Sequence, residues 1–480
     1  MTTVLGVDVG TSVTKAVAFD EAGRALAHAA RPSRLDHLPG GWVEQDPDEV
    51  LDTVCGVVRE VRAALPQPPD ALALTGQGDG LWLRDADGRA VRPAISWMDG
   101  RAAGLVAEWR DKGVVRAVHR RTGAGMFPGC HAPLLAWLAA HEPQALQRAA
   151  VAGYCVDTVA QRLTGEARPD ASDASLPFLD VVRRIYDTEA MSACGVGALA
   201  GLLPQPLPPG TVLALHAEGA RLTGLPVGTA VTSGPYDLPA CAIGSGVREV
   251  GDGLLIVGTT LACQVLTDSA VVDSGADPAG MWLCTPDRGR WLRGMPAMVG
   301  TAALEWALAL VGAGTAELDG LLDASPPGAN GVTALPFLSE AGERAPFVEP
   351  GARGRLDGLS LARTRADVVR AMCEAIAYAA RHCFEAAGLT ARLAACGGGV
   401  RSGPWAQLFA DVIGRPLHVP DEPEIGALGA SQVARRALGG PTPAVPPSRR
   451  IDPRPEVRTR YDDGYTAYLD RIARARPEWR

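Results

Sequence analysis

Lysine is nearly missing from this 480-residue chain: Lys15 and Lys112 are the only two, and arginine supplies the rest of the 46 basic residues. The skew reads as codon bias, and no binding function is drawn from it. Positive charge is short overall, with a formal net charge of -8. Nucleic-acid and anionic-membrane surfaces need clustered positive charge, so neither partner is expected. Ten cysteines lie scattered from Cys55 to Cys396, with no C-x-x-C pair and no metal-type spacing. A zinc site or disulfide framework is therefore not expected, and the thiols read as small buried apolar groups in a reducing compartment. The chain opens on TTVLGVDVG, without the basic start, apolar stretch and cleavage site of an export signal. It also lacks any run of about 18 apolar residues that could span a bilayer. A cytoplasmic location is expected.

What is present is ordinary globular composition, 47% hydrophobic and 21% charged, in a chain too long for one core to be the default. Residues 4 to 9 branch and alternate like a strand, Gly10-Thr11-Ser12 turns the chain, and Thr14 to Asp20 returns as the second strand of a hairpin. The pattern recurs 248 residues later, where LLIVGTTLACQVLTD sets Gly258-Thr259-Thr260 under Gly10-Thr11-Ser12. A duplication predicts two domains, 1–243 and 244–480. Within the first, Asp46, Pro47 and Glu49 predict a capping box opening a helix through Val50, Val54, Val57 and Val61. ALALTGQGDG predicts a buried strand ending in a glycine-rich loop, and TAVTSGPYDLPA a strand followed by a loop. In the second, residues 364 to 387 read as one amphipathic helix, followed by a strand, Gly397-Gly398-Gly399 and another helix. Alternating strands and helices, with a hairpin opening each half, predict an α/β fold of mixed sheets.

Phosphoryl transfer needs backbone donors for nucleotide phosphates, a divalent cation held by carboxylates, and a base beside the acceptor hydroxyl. Gly10 permits a hairpin that approaches an anion closely, with Thr11, Ser12 and Thr14 adding hydroxyls. Asp8 would face the same anion and requires a cation between them, which points to magnesium. Gly258-Thr259-Thr260 offers a second phosphate hairpin, where Ile256 stands in the place of Asp8. Three consecutive glycines at 397 to 399 offer a flat backbone for a purine or ribose, beyond the one glycine that a strand-to-helix turn requires. Asp237 follows the last strand of the first half, where it could meet a hydroxyl and a γ-phosphate, although an Asp after Tyr is commonly a cap or turn residue.

These residues lie in motifs that together resemble the FGGY carbohydrate kinases, members of the actin-like, ribonuclease-H-like ATPase superfamily. The likeness runs through GVDVGTSVTK, GGWVEQDP, TGQGDG, SWMDGR, RLTGE with SDAS, GPYD, VGTT, GERAPF to GRLDGLSLARTRADVVRAM, and CGGGVRSGPWAQLFADVIGRP. It implies two actin-like domains with an interdomain cleft, ATP and magnesium as cofactors, and a small sugar or polyol as substrate. Carried over by position, Asp237 matches the general base, and Asp8 with Asp237 lies near magnesium. Thr11 and Ser12 match the first phosphate loop, with Gly10 and Thr14 beside them and Lys15 where relatives have Lys or Arg; Gly258, Thr259 and Thr260 match the second loop, and Gly398 and Gly399 the adenosine contact. Lys15 is as well explained as a solvated hairpin end. Gln77, Gly78, Asp79, Tyr236 and Asp237 form the expected sugar site.

That site departs from the family's commoner spellings, since xylulokinases usually read G-Q-M-H-G and glycerol kinases Q-R-E where this chain has GQGDG. Asp79 can accept two hydroxyl hydrogen bonds and Gly78 makes room beside it, which suits erythritol-, L-xylulose- or D-xylulose-type substrates. Trp42, Trp82, Trp97 and Tyr236 are candidates to pack on a sugar, with at least two expected in the core. Asp99 and Arg101 are expected to pair, and Asp173 to end a loop. A homodimer is compatible with the sequence. The rival readings are an actin-like ATPase of chaperone or filament type and a catalytically silent sugar-binding regulator.

Overall fold

The computed structural model describes residues 2–271, 277–441 and 444–479. By packing, the chain divides into two units. The first comprises Met1–Gly246, Asp268–Leu292 and Glu424–Pro446, and the second Val247–Thr267, Arg293–Pro423 and Pro447–Arg480. The first crossing falls close to the sequence's single cut at 243/244, and two later segments return to the first unit.

The first unit is built on β1 (Val4–Val9), β2 (Val13–Phe19), β3 (Ala25–Pro32), β4 (Ala71–Gly76), β5 (Leu213–Ala214) and β6 (Ala230–Ser233), in the order β5-β6-β4-β1-β2-β3. β1 pairs antiparallel with β2 and parallel with β4, while β6 pairs parallel with β4. The period of two in β1 sorts its side chains. Leu5, Val7 and Val9 enter a core with Leu72, Leu74 and the helices Pro47–Ala64 and Cys155–Thr164. Val4, on the other face, meets Ala430 and Ala434 of the helix Ile425–Ala437, and by the same period Gly6 and Asp8 share that face. The sheet is thus covered on both sides, as parallel pairing requires.

The second unit repeats the plan with six strands of a seven-stranded sheet, β7 (Gly253–Val257), β8 (Leu261–Thr267), β9 (Trp291–Ala297), β10 (Leu393–Cys396), β11 (Leu417–Pro420) and β12 (Ser448–Ile451), ordered β9-β8-β7-β10-β11-β12. Its opening hairpin is antiparallel, and β10 and β11 continue parallel. Each sheet therefore has a hairpin, a third strand outside it, two parallel strands on the inner side and an antiparallel edge. This is the ribonuclease-H-like plan that the resemblance implied, and the repeated hairpin is what opens each copy.

Local expectations hold unevenly. Asp46 caps the helix Pro47–Ala64 by accepting from the Asp48 amide at 2.8 Å, but Glu49 reaches Arg34 at 3.3 Å instead of closing a capping box. The helix of the second unit spans Arg365–Ala387, with Thr364 and Asp367 forming a reciprocal cap. Among the described residues no helix is long and apolar enough to cross a membrane.

In the first unit, Arg84 and Asp157 form an ion pair with side chains 0% and 1% exposed. Asp157 also accepts from the Tyr154 amide at 2.7 Å, opening the helix Cys155–Thr164. Removing one partner strands a buried charge and an uncapped amide. Asp157→Ala is expected to cost about 3–5 kcal/mol, read as a lower urea midpoint; a change within measurement error would show that Arg84 finds another acceptor.

Candidate active site

Asp8 is held by glycines on a neighbouring helix. A side chain at Gly426 would come within 2.8 Å of an Asp8 carboxylate oxygen, and one at Gly6 within 2.2 Å of the Ala427 carbonyl. The same helix meets the helix Asp237–Gly244, where Cβ atoms at Gly429 and Gly244 would lie 1.9 and 2.1 Å from the Ala240 and Ile425 carbonyls. Glycine is the residue that permits this backbone approach. The EIGALGA segment was not among the sequence candidates, and its signal was two glycines three residues apart on a helical pattern.

Asp237 is not a loop residue as expected: it is the first residue of that helix, with Tyr236 before it as the cap position. The residue as a whole is half-buried. Burial, then the charge of Asp8 and that of Asp79, pushes its pKa up to about 8 against the stabilising Leu238 amide. Asp8, half-buried as well, is raised to about 6 chiefly by burial, with Lys15 lowering it and Glu424 raising it.

The first hairpin divides its hydroxyls between structure and solvent. Gly10 is required, since a Cβ there would lie 2.5 Å from the Val13 carbonyl. Ser12 is exposed. Thr14 does not supply a free donor as expected: it is 1% exposed and its hydroxyl meets Ser33 at 3.1 Å. Ser33 in turn donates to the Gly10 carbonyl at 2.9 Å, so this pair braces the turn. Thr11 donates to Gln77 at 3.2 Å and accepts from Trp97 at 2.9 Å, while Gln77 donates to Gln45 at 2.8 Å. These bonds fasten the hairpin to the loop after β4. Lys15 pairs with Glu424 at 2.7 Å.

In that loop Asp79 is half-buried and adopts φ +56, a left-handed conformation that Asp tolerates better than most residues. Room beside Gly78 is taken by protein, because a Cβ there would strike the Tyr236 ring at 2.5 Å. Tyr236 itself is 3% exposed and Trp82 2%, so both are core residues, whereas Trp42 and Trp97 are half-buried. Arg101 pairs with Asp99 at 2.9 Å and lies over the Trp42 ring at 4.4 Å. Asp173 belongs to the short helix Ala171–Ala174 and is buried, not at the end of a surface loop.

In the second unit Gly258, Thr259 and Thr260 form the turn of the β7–β8 hairpin, and the Gly258 carbonyl accepts from the Thr301 amide at 2.8 Å. The three glycines after β10 have separate reasons. Gly397 has φ +97 and a Cβ there would lie 2.6 Å from the Val257 carbonyl, while one at Gly399 would strike Val257 at 2.3 Å and Trp405 at 2.9 Å. Only Gly398 faces open space, exposed, with nothing within 4 Å of a built Cβ. Its bare backbone is available to a flat ligand, and its two neighbours serve packing.

Among the described residues there is no group of three or more acidic, histidine or cysteine side chains able to hold a metal alone. Asp8 and Asp237 suit a cation of another kind. Magnesium commonly takes one or two carboxylates and completes its shell with water and phosphate oxygens, and the Asp8 charge that raises the Asp237 pKa favours such an ion.

Two ribonuclease-H-like sheets, each with a glycine-threonine hairpin, and a high-pKa carboxyl beside a polar loop fit an ATP-dependent phosphotransferase. The family models agree: residues 3–244 match the N-terminal domain and residues 253–438 the C-terminal domain of the FGGY family of carbohydrate kinases. The chain belongs to this family and is a carbohydrate kinase, an enzyme that phosphorylates an alcohol group of a small sugar. It is 32% identical over 456 residues to the erythritol kinase of Brucella abortus (strain 2308), covering 91% of this chain and 87% of that one. It is 30% identical over 450 residues to a xylulose kinase of Klebsiella pneumoniae, covering 90% of each. The crystal structure of xylulose kinase from Rhodospirillum rubrum superposes with a TM-score of 0.89 at 30% identity, covering 99% of both chains.

A base with raised pKa works only when deprotonated. Sugar-dependent ADP formation is therefore expected to rise with pH along an acid limb, and added magnesium to move that limb to lower pH by favouring the ionised carboxyl. A kcat/KM profile at two magnesium concentrations checks this. A flat profile between about pH 5 and pH 8 would remove Asp237 from the titrating role.

Proposed function

We propose that this kinase transfers the γ-phosphoryl of ATP to a hydroxyl of a small uncharged polyol or ketose of erythritol, L-xylulose or D-xylulose type. Asp237 is the general base and Asp8 with Asp237 the carboxylate pair beside magnesium. The observation that carries the reading is the Asp237 carboxyl: fixed at a helix start, on a half-buried residue, and raised to about 8 by burial and by its acidic neighbours. A carboxylate of high proton affinity is a competent acceptor for an alcohol proton, and its fixed position supplies orientation.

In this reading Asp79 accepts hydrogen bonds from acceptor hydroxyls, and Gln77 and Tyr236 shape the loop that presents it. The backbone of the Gly10–Ser12 turn and that of the Gly258–Thr260 turn donate to nucleotide phosphates. Lys15, 36% exposed and tied to Glu424, can lend positive charge near the first turn. Gly398 lies under the adenosine. Magnesium, when bound, would neutralise phosphate oxygens. Support for the acceptor class comes from the resemblance to the erythritol and xylulose kinases and from the carboxyls of Asp79, Asp237 and Asp8, which repel an acidic sugar.

A coupled ADP-release screen over erythritol, other alditols and the two xyluloses identifies the acceptor. Asp237→Ala is expected to lower acceptor-dependent turnover by about 10²–10⁴-fold while calorimetric binding of ATP stays within a few-fold of wild type. Undiminished turnover in the variant would refute the assignment. Acceptor binding without turnover in the wild type would favour a silent sugar-binding regulator.

A further inference from the structure

Asp173 is a carboxyl that the fold leaves unserved. It is 1% exposed, and among the described residues neither of its oxygens has a hydrogen-bond partner. A buried polar group without a partner costs about 1–3 kcal/mol, so it calls for water or a ligand. Its place in the first unit is next to the proposed acceptor site. Ser172 accepts from the Tyr236 amide at 3.1 Å, and a Cβ at Gly234 would lie 2.4 Å from that of Asp170. The helix Ala171–Ala174 is therefore packed on the segment that carries Asp237. The Asp173 charge also acts on Tyr154 and Cys155; Gln77 reaches Cys155 at 3.8 Å, and the His131 ring lies 4.7 Å from that of Tyr154. The Gly80 backbone faces His131, yet neither ring nitrogen has a partner in hydrogen-bond geometry.

The charges that act on Asp173 are carboxyls: Asp157, Asp170, Asp237 and Asp79. Burial and these neighbours push its pKa well above the ordinary carboxylate range, while burial holds His131 down at about 3. Burial thus favours the neutral form of both groups, and in that form each offers a donor and an acceptor. A sugar hydroxyl has the same dual character.

We propose that the Asp173 carboxyl binds a non-reacting hydroxyl of the acceptor and so sets which neutral polyol or ketose is accepted. This rests on the kinase reading above. A hydroxyl can both accept from and donate to the acid, filling the bonds the protein leaves open, whereas an aldonate carboxylate would bring a further negative group among these carboxyls.

The test is a cycle between protein and substrate. Take the best acceptor among erythritol, D-xylulose and L-xylulose, with its single-deoxy analogues, and compare wild type, Asp173→Ala and Asp173→Asn. Asp173→Ala is expected to raise the acceptor KM by about 10- to 100-fold, the value of a buried hydrogen bond, with the KM for ATP unchanged. One deoxy analogue should be poor for the wild type and no poorer for the Ala variant, and Asn, which keeps a donor and an acceptor, should recover most of the loss. Penalties that simply add for every analogue, or an unchanged acceptor KM, would overturn the proposal while leaving the kinase reading intact. Absence of acceptor-dependent ADP release in the wild type would overturn both. If the Ala variant does not fold, infrared difference spectra serve instead. Acceptor binding should shift a carboxylic-acid band in the wild type that Asp173→Asn lacks, and no shifted band means no contact.

Discussion

The close backbone packing of the helix Ile425–Ala437 is the constraint on which the proposed catalytic carboxyls depend. Gly426 lets it lie against Asp8, and Gly429 with Gly244 lets it lie against the helix that begins at Asp237. A methyl group at any of these contacts would force the backbones or the Asp8 carboxyl to move, because packed interiors have little free volume. One helix, arriving late in the chain, thus fixes two acidic groups that come from opposite ends of the first unit's sequence. It also covers the second face of the sheet through Ala427, Leu428, Ala430 and Ala434.

A second layer of order comes from polar side chains. Gln45, Gln77, Thr11 and Trp97 form a continuous set of hydrogen bonds from the segment before the first long helix, through the loop after β4, to the turn of the first hairpin. Such a network orients the loop that bears Asp79 and the hairpin together, since each amide or hydroxyl has its partner fixed by the next. Thr14 and Ser33 do the same for the inside of the turn. Hydroxyl-rich motifs therefore contribute here as much by bracing as by offering donors to a ligand.

The sequence carried the fold and the general chemistry further than the details of the site. Repeated hairpins, the buried strand before GQGDG and the long helix from 365 to 387 were legible because period and turn chemistry are local properties. Asp8, Asp79 and Asp237 stood out as acids beside glycine-rich turns. What the pattern could not distribute was the work of neighbouring glycines and hydroxyls. Gly78 makes room for Tyr236, Gly397 and Gly399 make room for Val257 and Trp405, and Thr14 turns inward. Asp237 opens a helix because its chain continues into packing against Ile425 and Gly429, partners nearly two hundred residues away.

The amino-acid order by itself determined that there are two similar α/β halves, where their hairpins turn, and which carboxyls and glycine-rich turns are candidates for the chemistry, since these follow from periodicity, turn preference and residue type. Tertiary structure alone decided which of those groups are open to a ligand, which carboxyls gain protons through burial among like charges, and that Asp173 is left without a partner. Such properties depend on distance through space and on exclusion of water, which come from contacts between segments remote in the chain.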